Sequence, residues 1–184
     1  FFITKDLFDQ LLDRAFPSDN AVRKEAERAY LIAQNVFRRK DVFVMIYNSA
    51  LTNFMLSGEL DFFNKKVILD AGERKTQLEH FKNLLEVHDE LQIKMVSGGF
   101  SDDFRYITNP CIFLSDTINY LRLENNYYDK NILLIRDNKL REVFNTFYEK
   151  IWLDRQDVVV SERQLILDQL DNLISAAGLL CDVE

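Results

Sequence analysis

The residues able to do chemistry in this chain are few, and most of their spacings point away from catalysis. His80 and His88 lie eight residues apart. A helical metal pair needs its histidines one turn apart, as in HExxH, so these read as surface or helix-end histidines and no metal site is expected. Cys111 and Cys181 have no CxxC spacing. Cys111 sits in an apolar run and reads as a buried thiol, and two such cysteines imply no disulfide framework and a reducing, cytoplasmic setting. Asp102-Asp103 reads as a pair of solvated or capping loop acids. Ser97-Gly98-Gly99 follows an apolar run as a phosphate loop would, but GxxxxGK[ST] is absent and turn chemistry explains the glycines. Asn48-Ser49 follows the run at 42–47. The carboxyl ends of strands are where open α/β sheets bind ligands, so Asn48 and Ser49, with Gly98, Asp116 and Asn126, are candidates to line a polar pocket. Tyr127-Tyr128, in a polar stretch, reads as an exposed contact. No cofactor motif is present, and none is expected.

Composition narrows the class. The chain has 184 residues, 47% hydrophobic and 29% charged, which suits a globular domain with a full core. Only 2 prolines and 5 glycines occur, so long linkers are not expected. The net charge of -7 argues against broad binding to a phosphate backbone. The basic run Arg38-Arg39-Lys40 falls at a helix end, where cations complement the carbonyl terminus. No apolar run is long enough to cross a bilayer, and no signal-peptide pattern opens the chain, so no membrane partner is expected. The chain begins Phe1-Phe2 without an initiator Met, which reads as a piece of a longer protein.

The elements that would position these residues follow from periodicity. Apolar steps of three and four predict helices at 5–16 and 21–39, separated by Pro17-Ser18-Asp19-Asn20, as an N-terminal helical hairpin. From 42 onward, β-rich runs alternate with helical ones: strands at 42–47, 66–69 and 91–96, and helices at 50–60 and 73–87. A strand at 111–115 turns into 119–123, a buried strand follows at 131–136, and a helix at 138–152 puts Leu140, Val143, Phe144, Phe147, Ile151 and Trp152 on its inner face. Residues 158–160 read as a short extended piece. Ser161 and Gln164 fit a capping box ahead of a last helix ended by Gly178. The expected fold class is α/β, a mainly parallel or mixed sheet with helices on both faces, plus the N-terminal helical hairpin and a C-terminal helix. The expected divisions are 1–40, 41–155 and 156–184.

The stretch 108–152 carries a resemblance. A strand leading to Asp116, a turn, a second strand, a loop, a third strand and a helix ending in Phe147-x-x-x-x-Trp152 resembles the latter part of a phospholipase D-like repeat. That family's motif is His-x-Lys-x-x-x-x-Asp. Asp116 takes the place of the motif's Asp, but Asn109 stands at the His position and Cys111 at the Lys position. Leu123 and Glu124 occupy the places of a following Gly-Ser, and Asn126 that of its Asn. The family's chemistry uses His as the nucleophile on phosphorus and Lys to hold the phosphate charge. The resemblance therefore implies a phospholipase D-like scaffold without diesterase activity, with Asn109, Asp116 and Asn126 at the vestige of the site. It also implies a homodimer, since single repeats of this family pair.

The leading expectation is a non-catalytic regulatory domain of a cytoplasmic multidomain protein, with a bacterial transcription regulator as the natural host. Such a domain would sense a small anionic or phosphorylated effector or dimerise, and would reach DNA only through a domain outside this chain. The competing expectations are a hydrolase of a phosphorylated or nucleotide substrate and a structural protein–protein interaction module.

Overall fold

A computed structural model describes residues 3–37, 43–63, 65–88, 91–96, 111–113, 119–125, 129–154, 159–160 and 162–181. The helices are α1 (Lys5–Ala15), α2 (Asn20–Phe37), α3 (Asn48–Ser57), α4 (Ala71–Val87), α5 (Asn138–Asp154) and α6 (Arg163–Cys181). The strands are β1 (Phe43–Tyr47), β2 (Glu59–Phe62), β3 (Lys65–Ile68), β4 (Gln92–Val96), β5 (Cys111–Phe113), β6 (Asn119–Asn125), β7 (Asp129–Ile135) and β8 (Val159–Val160). The chain forms two compact units. One comprises Phe1–Met95 with Val160–Glu184, and the other is Val96–Val159.

The expected fold class is overturned. The chain is mainly helical, and its strands fall into small separate sheets ordered β1-β4-β8, β2-β3 and β5-β6-β7. The cause is the choice between near and distant partners. The run at 66–69 was expected to join 42–47 in one sheet. It pairs instead with β2, antiparallel, Glu59 opposite Ile68 and Phe62 opposite Lys65. Likewise, among the described residues, the run at 131–136 pairs with no distant strand. β7 pairs antiparallel with β6, and β6 with β5, in a meander. For β2-β3 and β5-β6-β7, closing a short turn fixes less chain than a parallel crossover does, whereas β1-β4-β8 joins strands distant in sequence.

Turn and cap residues explain the hairpin. Phe63, just after β2, has φ 48°, the left-handed region that a tight hairpin turn requires and a bulky side chain resists. Aromatic packing holds it there. The Phe63 ring lies edge-on to Phe62 at 4.9 Å and to Phe8 at 6.4 Å. At the other end Gly58, φ 65°, stops α3. Its N–H donates to Phe54 O at 2.9 Å and its carbonyl accepts from Leu69 N at 2.9 Å.

The first unit holds two apolar cores. In one, Leu78, Phe81 and Leu85 of α4 pack with Ile166 and Leu170 of α6, and with Ile93 and Met95 of β4. In the other, Phe8, Leu11 and Leu12 of α1 meet Ala26 and Tyr30 of α2, and Phe62 and Leu69 of the hairpin. Phe54 of α3 touches both. α4 starts with a capping box: Asp70 accepts from Glu73 N at 2.8 Å, and Glu73 accepts from Asp70 N at 3.1 Å. Thr4 caps α1 by accepting from Leu7 N at 3.2 Å, and its own N–H donates to Gln77 Oε1 at 2.9 Å, which ties the two helix starts together.

Gly58 is the point where a single methyl group does most harm. A Cβ there would sit 2.3 Å from Leu69 O. Gly58→Ala should therefore destabilise the first unit by about 2 kcal/mol or more, read as a lowered midpoint in urea denaturation. An unchanged midpoint would mean that α3 does not end in this conformation.

Candidate functional site

The sequence placed its candidate site at the ends of strands. Asn48 and Ser49 do follow β1 directly, as the first two residues of α3. Ser49 is exposed, whereas Asn48 is half-buried. The Asn48 backbone carbonyl accepts from Thr52 Oγ1 at 3.1 Å. Its side-chain Oδ1 is out of contact with solvent and accepts no hydrogen bond. A buried amide oxygen without a donor is unfavourable by roughly 1–3 kcal/mol. It is the sort of group that a ligand hydroxyl or amide N–H would satisfy. Gly98, Asn109, Asp116 and Asn126 lie outside the described residues, as do Asp102-Asp103, Tyr127-Tyr128 and Arg38-Arg39-Lys40. Of the resemblance's other positions, Cys111 starts β5, and Leu123 and Glu124 lie in β6.

The histidines stand apart from this junction. His80 lies midway along α4 and is half-buried. Loss of water lowers its pKa from the ordinary 6.5. His88 follows the last turn of α4. Its N–H donates to Leu84 O at 3.0 Å, and its carbonyl accepts from Arg163 Nη2 at 3.2 Å. Among the described residues no three His, Cys, Asp or Glu side chains come together as metal ligands. Cys181 ends α6, exposed, with its Sγ 3.3 Å from Ala177 O. No helix among the described residues is long and apolar enough to cross a membrane.

The charged side chains nearest the cores are engaged with backbone. Arg74, buried in α4, donates through Nη1 to Met55 O at 2.9 Å and to Leu56 O at 3.1 Å, the last turn of α3. Arg163, at the start of α6, donates to the carbonyls of Leu85, His88 and Leu91. Lys65 donates to Ala15 O at the end of α1 and sits 4.6 Å above the Phe16 ring. It edges a wide-mouthed depression of about 470 Å³ lined also by Ala15, Pro17, Ser18 and Asp19. Asp19 is taken up as well, accepting from Val22 N at 3.0 Å. These cations meet the unsatisfied carbonyls that every helix leaves at its C-terminus. Sequence reading did not single out Arg74, Arg163 or Lys65. Their partners lie 18 to 78 residues away, beyond any local capping rule.

Two ion pairs join α4 to other helices. Lys82 of α4 reaches Asp171 of α6 at 2.6 Å, and that hydrogen bond raises the Lys82 pKa. Arg14 donates to Glu73, the capping-box carboxylate, and that bond raises the pKa of Arg14. Both pairs are open to solvent and are screened by salt.

His80 makes the fold sensitive to mild acid. Its pKa is lower folded than unfolded, so the unfolded chain takes up the proton first as pH falls through about 6.5. The stabilisation present above that pH is lost below it. His80→Gln should flatten the fall in thermal midpoint between pH 7.5 and pH 5.5, and an identical slope in the variant would remove His80 as the cause.

No protein-family model, no curated protein and no solved structure matches this chain.

Proposed function

We propose that the chain is a non-catalytic regulatory domain of a cytoplasmic multidomain protein, with a bacterial transcription regulator as its host, and that it acts by dimerising and by sensing a small polar effector. The observation that carries this reading is the engagement of Arg74, Arg163 and Lys65 with helix ends. A phosphoryl-transfer site aims its cations at the substrate, not at its own backbone. This proposal does not need a phospholipase D-like sheet, which the described residues do not form. For an effector, the Asn48 amide oxygen at the β1–α3 junction is the favoured contact.

Dimerisation draws on α5. The sequence puts Leu140 and Val143 on its inner face, yet they are 46% and 63% exposed. Two copies of α5 crossing antiparallel would cover these apolar positions with one another, as a two-fold interface requires.

Light scattering on the eluting protein tests the dimer. The expected mass is twice 21.7 kDa, falling to 21.7 kDa in Val143→Glu with unchanged far-UV circular dichroism. A monomeric wild-type chain at about 50 μM, a concentration at which a micromolar interface is populated, would refute it. A thermal-shift screen of phosphorylated metabolites tests the effector. A ligand at 100 times its Kd should raise stability by about 2.7 kcal/mol, and Asn48→Ala should weaken that response. No stabilisation by any of them would count against sensing while leaving the dimer standing.

A further inference from the structure

β3 is a strand with one partner. The sheet it shares with β2 has two strands, and among the described residues no strand pairs with its far side. Lys65, Lys66 and Ile68 of β3 are exposed, Ile68 to 70%. The register says which backbone groups face outward. Leu69 N donates to Gly58 O, and the pairs Leu60–Val67 and Phe62–Lys65 follow that bond at steps of two. Bonded and unbonded pairs alternate in an antiparallel ladder, so the N–H and C=O groups of Lys66 and Ile68 point away from β2. Further along the same edge, Asp70 N is taken by Glu73 Oε2 at 3.1 Å, and on the opposite edge Glu59 N is taken by Ser57 Oγ at 3.1 Å. Ile68 has no such cap among the described residues. On the outer face, the Lys66 ammonium lies 3.2 Å from Glu59 Oε2, with half of each side chain open to solvent. So exposed a pair is weakly held, and a carboxylate on an incoming strand can share the cation.

We infer that the outer edge of β3 receives a short extended segment of a partner protein as a third strand. Its main chain bonds to Lys66 and Ile68. Its side chains on the outer face then stand beside those two residues, so the fitting segment carries an acidic residue and, two positions away, an apolar one. A second copy of this chain is the poorer occupant. Four paired residues bury far less than the roughly 1,200 Å² that a stable association of folded chains needs. The edge belongs to the first unit and does not involve α5, so this inference and the α5 dimer can fail separately.

Anisotropy of a fluorescein-labelled hexapeptide, with valine and glutamate two positions apart and threonine elsewhere, tests the inference on the full chain. Binding that saturates below about 1 mM is expected. Lys66→Glu should weaken it by about tenfold or more, and a peptide with lysine in place of the glutamate should recover that loss on the variant. Methylating the amide nitrogen of the peptide's valine, which faces Ile68, should abolish binding. Methylating that of the threonine between valine and glutamate, which faces solvent, should change affinity by less than about twofold. Ile68→Pro removes one outward N–H and no bond to β2, and should lose binding with unchanged far-UV circular dichroism. A wild-type chain that binds nothing up to about 1 mM would overturn the inference, as would equal losses from the two methylations. Lys66→Glu binding both peptides as the wild type does would also overturn it.

Discussion

Among the described residues, three helices end on cations supplied from elsewhere in the chain. Lys65 closes α1, Arg74 closes α3 and Arg163 closes α4. A helix C-terminus leaves carbonyls that need donors, and a buried one cannot turn to water. Local devices supply part of the answer, such as the left-handed Gly58 after α3. The rest comes from long side chains on neighbouring elements. Each contact therefore caps a helix and fixes how two elements meet, so local and tertiary order depend on the same bonds.

This dependence shapes the cores. α4 is held at both ends: Asp70 and Glu73 form its capping box, and Arg163 takes its last carbonyls. Between them Leu78, Phe81 and Leu85 pack against α6, whose Ile166 and Leu170 are fully buried. Glu73 also receives Arg14, and Gln77 receives the backbone of Thr4, so α4 anchors the first helix too. The second core then closes over Phe8, whose ring lies 4.4 Å from Tyr30 and 5.5 Å from Phe62. Burial raises the pKa of the Tyr30 hydroxyl, which donates to Ile3 O and accepts from Gln34 Nε2 at 2.8 Å.

For function, the consequence is one of availability. Arg74, Arg163 and Lys65 are committed to helix ends, and moving them would disturb the elements they join. The half-buried Asn48 is different, because its amide oxygen lacks a donor that a ligand could supply. It lies where the sequence placed a ligand contact, at the end of a strand, although the sheet around it is not the one expected.

Periodicity in the sequence placed α1 and α4 and their buried faces. Leu7, Phe8, Leu11, Leu12 and Ala15 are buried at the helical spacing that predicted them, as are Leu78, Phe81 and Leu85, because an amphipathic stripe is a local property of the chain. The runs at 42–47, 66–69 and 91–96 were legible as extended for the same reason. Which strands pair is not written in any one run. β3 has the β-rich composition of an inner strand, yet Ile68 is 70% exposed and Leu69 just beyond it is buried. The first half of its partner β2 fell within the helix expected at 50–60, which Gly58 ends early. Helix formation is decided within a few turns of chain, so the sequence could determine it. Strand pairing and the capping of α1, α3 and α4 by Lys65, Arg74 and Arg163 join residues far apart, so only the tertiary structure could decide them.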